Sequence, residues 1–480
     1  MNASPTERRQ MLGNMNVRKL LIKLSIPATI AMMANALYNL VDTFFVAWGT
    51  DVIAIGALAI VFPIQMIVMA LGLMIGIGSA SIFSRAYGRN DKDAMTRSVN
   101  TALLLNVVIS ITIAVIAYVF IDTLLVFFGA TSENFDYAKD YLVFILISLV
   151  PFSSAVVLNN LARAEGRPNV AMIALIIGAA VNILLDPILI FGVGFIPRMG
   201  VQGAALATLI AKTLSFIYVF SASLSKKSAL DIRLKTIHRF DLKMTLEIMA
   251  IGMPTFVRNA LGAILVIIIN QLINRYAPVD IGPGIYISIY GVINRMIMFL
   301  LLPGFGLVQG LVPIVGFNFG AKFHMRLYEV IAYGMRLVFI YFIAIFVITM
   351  LSAELLFRAF SPDANQLFIK EGARAFRVIS VGFTMIGFQV VLSSVYQAMG
   401  YPVRAFLIAM SRQFFLFIPL IYLFTYFIGL PGIWLTFLVA DVLAGTLSYF
   451  IYKYEMRDLK RKIPLEEFNA YIKRKKSLAQ

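Results

Sequence analysis

The sequence contains no cysteine, only two histidines and few charged residues. Of its 480 residues 14% are charged, against about a quarter in a typical soluble domain. The lack of cysteine excludes disulfide bonds, thiolate metal ligands and cysteine nucleophiles. Both histidines, His238 and His324, lie in basic loops, where catalytic or zinc-binding roles are not expected. No GxxxxGK[ST] motif is present, so we do not expect ATP hydrolysis. A hydrolase would need a convergent nucleophile and base or metal ligands, so we expect no enzymatic step in this chain.

Long hydrophobic runs make up most of the chain. The hydrophobic fraction is 60% and the mean hydropathy is +0.88. Most apolar runs span about 20–30 residues, long enough to cross a hydrocarbon core of about 30 Å. We predict an all-α polytopic membrane protein with twelve transmembrane helices. Their expected bounds are about 20–48, 53–87, 98–121, 137–162, 170–195, 203–224, 244–276, 284–319, 328–357, 372–399, 403–428 and 433–454.

Lysine and arginine concentrate on one side of this topology. Of the 41 lysines and arginines, 29 lie in the N-terminus, the even-numbered loops and the tail, and only five lie in the other loops. Because loops rich in lysine and arginine stay in the cytoplasm, both termini are predicted to be cytoplasmic. The net charge of +17 therefore reflects topology and contact with the lipid bilayer, and we expect no nucleic-acid partner.

The second half of the chain repeats the first. Pro27 corresponds to Pro254 and Pro187 to Pro419, at offsets of 227 and 232 residues. Because each unit has six spans, an even number, the two are parallel repeats about an axis along the membrane normal. Such pseudo-symmetric lobes are typical of secondary transporters that rock about a central site. The predicted divisions are an N-terminal lobe at 1–224, a cytoplasmic linker at 225–243, a C-terminal lobe at 244–454 and a basic cytoplasmic tail at 455–480.

Two predicted spans carry polar side chains on one face of an apolar helix. Asn35, Asn39 and Asp42 recur at helical spacing in the first span, and Asn182 and Asp186 do so in the fifth. Charged groups are costly in hydrocarbon and normally face a cavity or a partner. Asp42 and Asp186 are therefore candidates for reversible protonation that couples transport to an ion gradient, and Asn35 and Asn39 are candidate cavity residues.

Other charged residues in the spans leave two alternatives open. For Asp186, the alternative to a coupling role is a purely structural ion pair with Lys212. Three of the arginines in spans of the second half are Arg258, Arg295 and Arg412. They form either an anion-binding part of the substrate cavity or a structural network in which Asp441 pairs with one of them.

At these residues the sequence resembles the multidrug and toxic compound extrusion (MATE) family, in its prokaryotic DinF/MepA-like branch. The resemblance covers nearly the whole chain and rests on the repeat and on three segments, Tyr38-Asn39-Leu40-Val41-Asp42-Thr43, Ala164-Glu165-Gly166-Arg167-Pro168-Asn169 and Val181-Asn182-Ile183-Leu184-Leu185-Asp186-Pro187. It implies two six-helix lobes in a V and a monomer in a bacterial or archaeal plasma membrane. The implied activity is export of cationic or amphipathic drugs in exchange for H+ or Na+, with no other cofactor.

The resemblance also implies where the coupling ion binds. The implied site lies in the N-terminal lobe and comprises Asp42, Asn182 and Asp186, with Tyr141, Asn159 and Thr208 as further polar members. Asp42 and Asp186 are the expected ligands if the ion is Na+. The other main branch has an acidic residue in the seventh span, but residues 255–259 here contain no carboxylate. A cation site of that kind is not expected, and the choice between H+ and Na+ stays open.

Two other functions are compatible with this architecture. A lipid-linked oligosaccharide flippase needs a cationic cavity for pyrophosphate, which the three arginines of the second half would supply. A channel is the other alternative, and strict exchange of ion for substrate would exclude it.

Overall fold

Apolar runs of this length form helices because hydrocarbon offers no hydrogen-bond partners, so each backbone N–H must be satisfied within its own segment. The computed structural model describes residues 4–49, 52–194, 196–232, 241–360, 366–469 and 471, and side chains for all of these except 39, 40, 42–44, 46–49, 52–57 and 59. The helices are α1 (Pro5–Asn14), α2 (Val17–Gly49), α3 (Val52–Arg89), α4 (Lys92–Val119), α5 (Ile121–Phe127), α6 (Phe135–Ala164), α7 (Pro168–Phe191), α8 (Gly200–Leu224), α9 (Leu242–Tyr276), α10 (Pro283–Gly320), α11 (His324–Ala359), α12 (Gln366–Met399), α13 (Pro402–Met410), α14 (Ile418–Ile428) and α15 (Leu430–Arg461). A π-helical turn, Ser411–Phe417, joins α13 to α14.

Twelve segments of the described chain are long and apolar enough to cross a membrane, which confirms the predicted fold class. The eleventh span combines α13, the π-helical turn and α14. Several helices are longer than predicted: α12 begins at Gln366 and α15 ends at Arg461. Hydropathy reports only the apolar part of a helix, so polar ends that project beyond the hydrocarbon were missed. Residues 233–240 of the predicted linker, with His238, lie outside the described part, and His324 begins α11.

Two glycines bring the lobes together where α3 meets α9. Gly78 of α3 lies against the carbonyl of Ile248 in α9, and Gly252 of α9 lies against the carbonyl of Met74 in α3. A Cβ atom at either glycine would overlap the facing carbonyl oxygen. Only glycine allows two helix backbones to approach this closely, as is typical of helix packing in membranes.

α2 and α10 make a second contact between the lobes at the same end of the spans. A Cβ atom at Gly306 would lie 2.5 Å from the Thr29 Cα, and one at Gly310 would lie 2.7 Å from the Ser25 Cα. The Ser25 hydroxyl also donates a hydrogen bond of 3.1 Å to the Leu307 carbonyl. We call this end of the molecule, where α2–α10 and α3–α9 pack together, the closed end.

Towards the opposite end, the same faces of these helices become uncovered. Phe299 lies seven residues before Gly306 and Ile67 lies eleven residues before Gly78, so each shares a helix face with its glycine. Both glycines are buried, whereas Phe299 is 55% and Ile67 46% exposed. The lobes therefore separate and leave a cleft between them, which is the V predicted from the resemblance. We call this end the open end.

The N-terminal helix α1, which hydropathy did not predict, lies across the closed end and contacts both lobes. On the N-terminal lobe, Arg8 lies 3.5 Å from the fully buried carboxylate of Glu165 in the α6–α7 turn. On the C-terminal lobe, the Arg326 guanidinium donates hydrogen bonds of 3.0 Å and 2.6 Å to the Leu12 and Met15 carbonyls. α1 thus ties the lobes together on the side where they already pack.

Candidate functional site

The candidate coupling site lies between α7 and α8, two antiparallel helices of the N-terminal lobe. Near one end, a Cβ atom at Gly203 would lie 2.5 Å from the Leu189 carbonyl oxygen. Further along, the Ser215 hydroxyl donates a hydrogen bond of 2.7 Å to the Ala174 carbonyl. These contacts hold the two helices close together over about three turns. The polar and charged side chains carried between them are Asn182, Asp186, Thr208 and Lys212.

Asn182 and Asp186 are both fully buried, one helical turn apart on α7. The Asn182 amide nitrogen Nδ2 donates a hydrogen bond of 3.4 Å to the Thr208 hydroxyl of α8. The Asn182 carbonyl oxygen Oδ1 is buried and accepts no hydrogen bond from the described part of the chain. Because a buried acceptor is stabilised by a proton-bearing group or a cation, this oxygen favours a neighbour of that kind. A protonated carboxyl group or a bound Na+ would satisfy it.

A small cavity of about 30 Å³ lies one turn along α7 and α8 from this hydrogen bond. Residues of α2, α6, α7 and α8 line it, among them Asn35, Tyr38, Phe152, Asn159, Gly178 and Lys212. Its volume admits water or a small ion. The ammonium nitrogen of the half-buried Lys212 lies 4.8 Å from the ring centroids of both Tyr38 and Phe152, an arrangement that stabilises a cation.

Lys212 is a charged residue of this cavity, and the sequence predicts for it only a structural role, as an ion-pair partner of Asp186. The signal that points to it is spacing, because Lys212 follows Thr208 by four residues and so shares its helix face. The same reasoning would have added Ser215, which also lines the cavity.

Two predicted members of the coupling site, Tyr141 and Asn159, do not belong to one compact cluster. They lie 18 residues apart on α6, which is about 27 Å along a helix axis. The Tyr141 hydroxyl accepts a hydrogen bond of 3.3 Å from the Gln65 amide of α3. Asn159 borders the cavity, and its buried amide oxygen has no hydrogen-bond partner in the described part of the chain.

Asn39 and Asp42 lie on α2, but their side chains are outside the described residues. Asn35, on the same helix, borders the cavity. Asp42 follows Asn35 by seven residues, or two helical turns. The roles of Asn39 and Asp42 stay predictions.

The predicted cavity arginines Arg258, Arg295 and Arg412 have different surroundings in the C-terminal lobe. Arg412 pairs through Nε with Asp441 Oδ1, as the structural alternative expected for one arginine. Arg258 on α9 is half-buried and has no ion-pair or hydrogen-bond partner in the described part of the chain. Arg295 on α10 is exposed. It lies eleven residues before Gly306 and so on the helix face that borders the cleft.

Comparison with known proteins decides the family. The MatE family model matches residues 27–188 and 254–423, more than half of the chain. The chain belongs to the MATE family. This confirms the resemblance, which rests on segments in the first and fifth spans and on one directly after the fourth. The two matched segments also fall one in each predicted half.

Individual MATE proteins resemble this one over almost its entire length. The multidrug export protein MepA of Staphylococcus haemolyticus is 26% identical over 438 residues, covering 91% of this chain and 93% of that protein. MepA of Staphylococcus aureus is 24% identical and covers 92% and 94%. Among solved structures, the MATE multidrug transporter DinF-BH is 34% identical, with a TM-score of 0.84 and coverage of 93% and 97%. An outward-facing MATE transporter of the MOP superfamily has a TM-score of 0.86 at 24% identity, covering 94% and 98%.

Proposed function

We propose that this MATE protein exports small cationic or amphipathic molecules in exchange for H+ or Na+. The observation that carries the proposal is a carboxylate, Asp186, fully buried inside a span and one turn from the unsatisfied acceptor of Asn182. The names of the multidrug export protein MepA and of the multidrug transporter DinF-BH support small-molecule export. The cleft between the lobes is the expected substrate site.

The coupling mechanism follows from the cost of burying charge. A carboxylate in a low-dielectric interior is stabilised when it gains a proton or a cation. In the proposed cycle, an ion entering from the open end neutralises Asp186, with Asp42 as its predicted partner, and the contacts of α7 with α2 and α8 change. Substrate is then released, and loss of the ion on the opposite side resets the lobe. The ion must bind the two conformations with different affinities, since otherwise it shifts no equilibrium.

We also propose the setting in which this exchange takes place. The protein is a multi-pass protein of the bacterial or archaeal plasma membrane with both termini in the cytoplasm, so the closed end faces inward in this conformation. The loop charges support that orientation. Exchange needs neither a catalytic step nor a cofactor beyond the coupling ion, and we expect a monomer without a nucleic-acid partner.

Proteoliposomes with an imposed pH gradient or an imposed Na+ gradient test the proposal. We expect wild-type protein to move a cationic dye under one of the two gradients, and Asp186→Asn and Asp42→Asn to abolish that dependence. Asp122→Asn is the matched control, because Asp122 is exposed on α5 and pairs only with Lys139 in the described structure. Gradient-driven transport that survives in both coupling variants would refute the mechanism.

The structure favours this proposal over the two alternatives. Of the three arginines that a flippase cavity for pyrophosphate would use, Arg412 is paired with Asp441, which leaves Arg258 and Arg295. A channel needs a continuous path, but α3 and α9 pack backbone against backbone at the closed end. Closure at one end and a cleft at the other is the geometry of alternating access.

A further inference from the structure

A charge cluster in the C-terminal lobe has no role in the proposed coupling mechanism. Arg258 and Arg412 lie on neighbouring elements of this lobe, α9 and the π-helical turn, and one carboxylate, Asp441, pairs with Arg412. α9, which carries Arg258, contacts both the π-helical turn with Arg412 and α15 with Asp441. Two guanidinium groups and one carboxylate leave one positive charge uncompensated. Inside a membrane-spanning lobe such a charge favours an anionic partner.

The π-helical turn places Arg412 in this cluster. Pro419, at the start of α14, has no N–H, so the Phe415 carbonyl lacks its helical donor and the preceding turn widens. The Ile408 carbonyl at the start of the widened turn accepts hydrogen bonds from the Gln389 amide, at 2.9 Å, and the Ser411 hydroxyl, at 2.8 Å. These side-chain donors stabilise the distortion. π-Helical turns inside α-helices occur frequently at functional sites.

The two lobes carry opposite charges at corresponding positions. Gly203 and Gly432 each lie against a carbonyl of the preceding span, with a Cβ contact of 2.5 Å in both lobes. Nine residues after these glycines the N-terminal lobe has Lys212 and the C-terminal lobe has Asp441. The preceding span supplies the opposite sign in each lobe: an acid, Asp186, in the first and a base, Arg412, in the second. In the N-terminal lobe α7 therefore carries the acid and α8 the base, whereas in the C-terminal lobe the π-helical turn carries the base and α15 the acid.

Arg412 and Arg258 both have free donors. The Arg412 side chain is 26% exposed, and its Nε alone is used by Asp441. Its two terminal Nη groups and the whole Arg258 guanidinium have no hydrogen-bond partner in the described part of the chain. Guanidinium groups bind carboxylates through paired, charge-assisted hydrogen bonds. Since an unpaired guanidinium facing hydrocarbon is costly, we expect the exposed part of this cluster to face water.

We propose that Arg258 and Arg412 bind the carboxylate of a zwitterionic amphipathic substrate, whose cationic group is the feature it shares with the proposed cationic substrates. The inference rests on the proposed export function and specifies the substrate class of the same cleft. A single carboxylate supplies the one negative charge that the cluster lacks. A phospholipid phosphate has the same charge, and the experiment separates the two sources.

Two dyes with one fluorophore test this subsite: rhodamine 19, which has a free carboxylate, and rhodamine 6G, its ethyl ester. Transport of each dye is measured in proteoliposomes under the gradient that drives the wild-type protein. The quantity compared between variants is the KM for rhodamine 19 divided by the KM for rhodamine 6G. We expect Arg258→Gln to raise the ratio at least tenfold, because charge-assisted hydrogen bonds are lost. The double variant Arg412→Gln with Asp441→Asn, which leaves no unpaired carboxylate, is expected to do the same.

Further variants keep the experiment decisive. Arg258→Lys retains the charge, so its ratio is expected to lie between those of the wild-type protein and of Arg258→Gln. Arg374→Gln removes an exposed arginine of α12 outside the cluster and is expected to leave the ratio unchanged. Fluorescence anisotropy of both dyes with the purified protein measures the ratio of Kd values without any gradient. We expect the Kd ratio to rise in the same variants as the KM ratio.

The outcomes distinguish the subsite from the export function. An unchanged ratio in Arg258→Gln and in the double variant would overturn the subsite. A loss for both dyes that disappears when anionic lipid is replaced by neutral lipid would assign the arginines to a lipid phosphate and would also overturn it. Failure of the wild-type protein to move either dye would refute the export function, and the Kd ratio would still decide the subsite.

Discussion

Gly252→Ala is expected to shift the protein away from the conformation in which the closed end is packed. The new Cβ would lie 2.6 Å from the Met74 carbonyl carbon, whereas a relaxed contact between carbon atoms is about 3.5–4.0 Å. α3 and α9 must therefore separate by about 1 Å. Overpacking of this size costs about 1–3 kcal/mol. In the opposite conformation the two helices have moved apart at this end, so the same methyl group costs nothing there.

The free-energy difference converts directly into populations. A cost of about 1–3 kcal/mol favours the conformation open at this end by about 5- to 150-fold, so a state populated at about 1% would rise to about 5–60%. Gly262→Ala is the matched control on the same helix, because a Cβ at that position meets nothing within 4 Å. Both substitutions raise helix propensity equally, and only Gly252→Ala strains the contact between the lobes.

The absence of cysteine makes the measurement simple, because labels can be introduced without removing native thiols. Glu133→Cys and Val279→Cys place spin labels on exposed loops of the two lobes at the open end. Double electron–electron resonance then reports the distance between the lobes. We expect Gly252→Ala to add a population with a shorter distance. Distance distributions identical in Gly252→Ala, Gly262→Ala and the parent would refute the packing argument.

Three further predictions concern individual contacts. Thr208→Val removes the hydroxyl that accepts a hydrogen bond from the Asn182 amide in the coupling site. The ion concentration that gives half-maximal dye transport should therefore rise about 2- to 10-fold. Thr213→Val is the control and should leave this concentration unchanged. Arg326→Gln removes the donors to the Leu12 and Met15 carbonyls at the end of α1, so amide hydrogen exchange of residues 5–14 should become faster. Unchanged protection of these amides would contradict the role given to α1. Arg412→Gln leaves the 1%-exposed Asp441 unpaired and should lower the free energy of unfolding by about 3–5 kcal/mol. Adding Asp441→Asn should recover most of this loss. A double variant no more stable than the single one would argue against the pair.

Several elements could be predicted from local patterns alone. The spans, the repeat and the stripe ending at Asp186 all follow from hydropathy and helical spacing within short stretches of chain. Asn182 and Asp186 are indeed buried, and Thr208 meets Asn182. Tyr141 and Asn159 lie about 27 Å apart along α6, which the sequence did not indicate, because spacing on one helix does not show which of its turns faces another helix.

The amino-acid sequence is enough to specify a twelve-helix membrane protein of two related halves, because hydrophobicity and helical periodicity are local properties and the bilayer acts on each segment separately. Other features exist only in the packed molecule. Packing set the closed end at Gly78 and Gly252, placed Lys212 against two aromatic rings, and joined Arg412 to Asp441 through a π-helical turn. These contacts depend on the relative height and rotation of helices far apart in sequence, which no local pattern encodes.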